Sequence, residues 1–242
     1  MRAEDVKGLY ERRRAGIVAT IPTAYNATIH LILPTVLGFS ALMGALSLLR
    51  DLRWGQLWAI PITLFAGFAF EWRAHKDILH RRTPGFRVLY DRHELAHHVI
   101  YTYDDLALRS RRELFLILVP PYAIVIVFAF NSVLGIAVAA LFGWNVALLM
   151  VATSMVFFLS YEWLHLAYHQ PVDSWIGRRS VIRMLRELHR RHHDPRLMKR
   201  WNFNVTVPVF DVIHRSLWSP EREAAQARPR STRSKRSHHA AV

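Results

Sequence analysis

The chain of 242 residues contains no cysteine. That absence removes disulfides, iron–sulfur clusters and thiolate-ligated haem or zinc. Acidic groups are scarce, with 18 Asp and Glu against 32 Lys and Arg, so the formal net charge is +14. Yet 52% of the residues are apolar. High charge and high apolar content coexist only if they are segregated along the chain. Long stretches accordingly lack charge altogether: none of the 48 residues from Leu114 to Tyr161 is Asp, Glu, Lys or Arg. A membrane helix needs about 20 apolar residues, so this run predicts two spans, broken near Asn131 or near Gly143-Trp144-Asn145. Ala15–Leu49 is a second uncharged run, with His30 inside it and one span expected over about 27–49. Trp54–Phe70 is a third, short run that predicts a tilted or partly inserted helix. Four spans result.

The first 14 residues lack the apolar core of a signal peptide and carry Arg2, Lys7, Arg12, Arg13 and Arg14. They read as an amphipathic lead-in with Leu9, Tyr10 and Val18 at the membrane interface. Basic residues crowd the N-terminus, the 71–113 segment and everything after Trp163, whereas the turn after the first span has only Arg50 and Arg53. The positive-inside tendency therefore places both termini and the 71–113 segment in the cytoplasm, with the basic face against anionic lipid. Nucleic acid is not an expected partner. Residues 1–219 read as one membrane-embedded domain, and 220–242 as a disordered basic tail that includes His238 and His239.

Fourteen histidines are present, and ten fall into four clusters. They are His75 and His80; His93, His97 and His98; His165 and His169; and His189, His192 and His193. Each follows an expected span on the cytoplasmic side. Residues three or four apart share a helix face, so His93 with His97, His165 with His169, and His189 with His192 and His193 can each aim at one point. His75 and His80, five apart, are about 140° off on an ideal helix and require a distortion or separate metals. Adjacent histidines diverge by about 100°, which suits a helix between two metal ions. The pattern also repeats. Glu71-Trp72 precedes His75, His80 and the His93 cluster, and Glu162-Trp163 precedes His165, His169 and the His189 cluster.

Ten imidazoles exceed the four ligands of a structural zinc, so two metals are implied, and iron is the best fit. An unactivated lipid C–H bond is beyond any side-chain base and calls for a redox metal that activates O2. Asp77, Glu94, Glu187 and Asp194 are candidates to orient ligand imidazoles through their second ring nitrogen, or to form surface ion pairs. His30 is expected to serve packing.

These clusters resemble the histidine pattern of the fatty acid hydroxylase/sterol desaturase superfamily of integral-membrane di-iron enzymes, over roughly residues 55–217. Trp201-Asn202-Phe203-Asn204-Val205-Thr206, Pro208 and Asp211 are similar to that family's closing segment, with Asn204 in place of its usual glycine and His214-Arg215-Ser216 in place of Phe-Gly-Thr. The resemblance implies an all-α bundle of about four transmembrane helices with a cytoplasmic helical cap, and two irons held by His75, His80, His93, His97, His98, His165, His169, His189, His192 and His193. It implies O2-dependent hydroxylation of an acyl chain, sterol or related lipid, with desaturation as the alternative. His214 is an optional extra ligand. Electrons would come from NAD(P)H through a separate donor protein of cytochrome b5, ferredoxin or reductase type, since no such domain is recognisable in the chain. A bacterial inner membrane is the expected location, with the endoplasmic reticulum as the alternative. Two other classes compete. A metal transporter would carry ionisable groups near mid-membrane, and a non-catalytic scaffold would have lost ligands.

Overall fold

A computed structural model describes residues 3–227. Among these residues the structure is all-helical, without a strand. The helices are α1 (Ala3–Ala19), α2 (Ala27–Ser47), α3 (Ala59–Ala74), α4 (Arg87–Arg92), α5 (His98–Ile100), α6 (Leu114–Ile117), α7 (Ala123–Phe142), α8 (Trp144–Tyr168), α9 (Ser180–His192), α10 (Val209–Ile213) and α11 (Pro220–Ala227). Of these, α2, α7 and α8 are long and apolar enough to cross a membrane. Their outward faces carry large apolar side chains such as Ile32, Phe39, Val125, Phe130 and Ile136, as lipid contact requires. The α7–α8 break falls at Gly143, whose φ of +90° glycine adopts at little cost and a residue with a side chain would not. Asn131 stays inside α7 and returns its amide to the Val127 carbonyl at 2.8 Å.

The expected third span is shorter than the others. Its helix α3 has 16 residues, about 24 Å at 1.5 Å per residue. A 3₁₀ turn, Trp54–Trp58, precedes it. Both α2 and α3 pack along α8. At one end of this bundle Asn145 exchanges hydrogen bonds with the Arg50 backbone and reaches Gln56. Exposed Trp54, Trp58 and Trp144 ring this end. The histidines lie where α3 and α8 finish, at the other end.

Two sequence expectations change. Tyr10 and Val18 face protein: Tyr10 donates to the Ile100 carbonyl at 2.5 Å, and Val18 packs on the core around Ile100, Leu106 and Leu116. Leu9 alone of the three is exposed. Arg14 fastens this helix by a buried ion pair with Glu113 at 2.5 Å. The tail does not begin at residue 220, because Pro220–Ala227 is helical. Proline fits the first helical position, and Ser219 caps the turn by accepting from the Arg222 amide. His238 and His239 lie outside the described residues.

Candidate metal centre

Nine of the ten candidate histidines assemble into two buried groups, each able to hold a metal ion. One contains His75, His80, His93, His98 and His192; the other contains His97, His165, His169 and His189. The tenth, His193, faces the second group, its Nε2 lying 3.2 Å from that of His97 and 3.0 Å from that of His189.

Backbone geometry brings them together. His75–Leu79 and His93–His97 are π-helical turns. The His98 amide donates to the His93 carbonyl, five residues back. A π turn sets residues five apart on one face, so His75 joins His80, and His93 joins His98 rather than His97. The expected pairing of His93 with His97 therefore fails. His189 likewise meets His193, while His192 turns to the first group. Both adjacent pairs, His97-His98 and His192-His193, do divide between the groups as their divergence predicts.

Second-nitrogen partners fix the imidazole tautomers. The Nδ1–H groups of His75 and His192 donate to the carbonyls of Phe203 and Trp201. Those of His97, His169 and His193 donate to Leu116, Leu106 and Tyr101. His80 Nδ1 donates to Glu94 Oε2 at 2.5 Å. Neutral rings so arranged present an Nε2 lone pair inward. Two such lone pairs then confront each other at 2.9 Å between His80 and His192, and at 3.2 Å between His97 and His193. Facing lone pairs repel unless a cation lies between them. In addition, His98 Nδ1 and both nitrogens of His165 are buried without a hydrogen-bond partner. The donor set thus fits metal ions.

Burial also favours the metal-binding protonation state. It holds His75, His93, His97, His98, His169, His189 and His192 well below the ordinary imidazole range. It brings His193 down to about 3. Neutral imidazole is the ligand form, so at pH 7 these rings need lose no proton to bind.

Of the four carboxylates considered as orienting groups, Glu94 alone contacts a candidate ligand, and Lys199 Nζ meets its other oxygen at 2.9 Å. Burial opposes ionisation of Glu94, but the hydrogen bonds from His80 and Lys199 outweigh it and lower its pKa. Asp77 pairs with Arg73 and Arg81, Glu187 with Arg190 and Arg191, and Asp194 with Arg196. His214 stays out of both groups and stacks on Trp72 with centroids 4.1 Å apart. His30 is structural. Its Nε2 meets the Val119 carbonyl at 2.7 Å, and Glu162 accepts from the Val119 amide at 3.2 Å. Together they satisfy the backbone ahead of Pro120-Pro121, where no helix can.

Residues 201–206 have a role that the sequence reading did not assign. Their carbonyls orient His75 and His192, and buried side chains hold them in place. Asp211 accepts from the Phe203 and Asn204 amides and from Ser216 Oγ. Glu71 accepts from the amides of Val205 and Thr206 and from Asn204 Nδ2. The carboxamide of Asn204 also caps α10 and donates to the Phe68 carbonyl. The repetition of Glu71-Trp72 as Glu162-Trp163 was the available signal. Compared with protein-family models, curated proteins and solved structures, the chain finds no match.

Proposed function

We propose that the chain is an integral-membrane di-iron lipid hydroxylase. The observation that carries this reading is the pair of buried histidine groups whose Nε2 lone pairs converge where apolar helices end. His75, His80, His93, His98 and His192 would hold one iron; His97, His165, His169, His189 and His193 the other. Iron supplies O2 activation, the chemistry that an unactivated C–H bond demands. The chain's own residues hold the imidazoles in place through carbonyls, keep them neutral by burial and exclude bulk water. The helix α3 with its preceding turn would serve as a fourth, tilted span, and the segments after α3 and α8 would form a cytoplasmic cap. Termini in the cytoplasm, a bacterial inner membrane and a separate electron donor complete the reading. An acyl chain or sterol lying beside the apolar spans would be the substrate.

The test is lipid mass spectrometry on cells expressing the protein, against cells expressing His193→Ala. A lipid that gains one oxygen only with the intact protein supports hydroxylation. Loss of two hydrogens instead would make the protein a desaturase. Identical lipids in the presence of substrate and donor would overturn the oxidative reading.

A further inference from the structure

The turn between α8 and α9 exposes large apolar side chains although it is firmly built. Ser174 Oγ accepts from the Gly177 amide at 3.1 Å, and the Ser174 amide and hydroxyl both donate to the Pro171 carbonyl. The Arg178 amide donates back to the Ser174 carbonyl at 3.1 Å. Gly177 is buried, and a side chain there would collide with the Pro171 carbonyl. Ile176 packs inward against the cluster of Tyr168, Ile182 and Leu185. Its neighbour Trp175 points out and is 74% exposed, and Val172, Val181 and Met184 are also largely exposed.

Cations border these residues. Arg178, Arg179 and Arg183 are exposed, and the Arg179 guanidinium lies over the Trp175 ring at 4.1 Å. Asp173 is the acidic group of the same concavity, whose other walls are Trp175, Arg178 and Arg179. Two guanidinium groups thus share this concavity with one carboxylate, and Arg183 adds a third exposed cation nearby in the chain. A rigid turn has no reason to present Trp, Val and Met to water, and arginine beside them selects an anionic, half-apolar environment. Trp over guanidinium, flanked by aliphatic side chains, matches the headgroup boundary of an anionic bilayer, where aromatic rings and arginines both settle. Residues 161–168 of α8, against which this turn and α9 pack, belong to a helix able to span the bilayer.

We infer that residues 172–184 form an interfacial anchor that inserts Val172, Trp175, Val181 and Met184 beneath anionic phospholipid headgroups bound by Arg178, Arg179 and Arg183. The anchor would fix the depth of the histidine centre, since α9 carries Val181, Arg183 and Met184 of the patch together with His189 and His192, and ends at His193. It requires membrane insertion and does not depend on metal chemistry.

The absence of cysteine makes the test direct. Nitroxide labels on Val172→Cys and Met184→Cys, and on Glu221→Cys as a control, are placed in nanodiscs of phosphatidylglycerol and phosphatidylcholine. Their collision rates with O2 and with a neutral nickel chelate are compared. The anchor predicts a several-fold higher O2-to-nickel ratio at 172 and 184 than at 221. It also predicts a fall in that ratio when Arg178, Arg179 and Arg183 all become Gln, or when phosphatidylglycerol is omitted. Labels at 172 and 184 that collide freely with nickel, or that are shielded from both reagents by protein, would overturn the anchor. A ratio indifferent to the arginines and to phosphatidylglycerol would overturn the anionic headgroups.

Discussion

His75, His80, His93 and His98 from the first half of the chain share a group with His192 of the second, whereas His165, His169 and His189 share theirs with His97 of the first. Each half lends the first histidine of its adjacent pair to the other. The bracing is crossed as well. Residues 101–116, which follow the first half's histidines, supply the Tyr101, Leu106 and Leu116 carbonyls to the second group. Residues 201–203, which follow the second half's histidines, supply Trp201 and Phe203 to the first. The difference lies in charge. The first group leans on the Glu94 carboxylate, itself paired with Lys199. The second meets only backbone carbonyls, with His165 unpartnered. The teaching is that exchanged histidines make the groups one unit, while Glu94 makes them chemically unequal: only the first has a carboxylate that orients one of its imidazoles.

Removing an exchanged or facing ligand breaks the unit most severely. On the proposed function, His97→Ala and His193→Ala should each abolish the lipid oxidation while the protein still inserts, as read by lipid mass spectrometry on membrane fractions. Retained turnover in either variant would remove that histidine from the set. The crossed bracing is probed next. Arg14 and Glu113 are both almost fully buried, and breaking such a pair costs about 3–5 kcal/mol. Arg14→Met should therefore lower Tm and loosen the second group before the first, because Glu113 also accepts from the Tyr101 hydroxyl and the Arg109 amide. Equal metal loss from both groups would argue against separate braces. Glu94→Gln sharpens the inequality: an orienting partner is worth about 10–100-fold in metal affinity, and the loss should fall on the first group. Truncation before Pro220 should do least, leaving metal content unchanged by elemental analysis.

Much of this was legible in advance. The uncharged runs located α2, α7 and α8, because spans must bury their backbone polarity in apolar helices. The ten histidines stood out because four clusters at metal-ligand spacing all follow apolar runs on one side. The grouping of His75 with His80 and of His93 with His98 was not legible. It depends on two π turns, and nothing in His-Lys-Asp-Ile-Leu or His-Glu-Leu-Ala-His distinguishes those from an α turn. Nor were the orienting carbonyls visible, since every residue carries one and only folding decides which meets an imidazole. Tyr10 and Val18 were misplaced because an apolar face does not state whether lipid or protein covers it; Arg14, buried among carbonyls, decides for protein.

The most direct measurement is iron per chain in the purified protein, beside His80→Ala and His169→Ala. With two buried groups able to hold metal, the proposed di-iron function predicts two irons in the intact chain and loss of about one in each variant, from opposite groups. An intact chain that carries no iron, or a single zinc, would contradict the account.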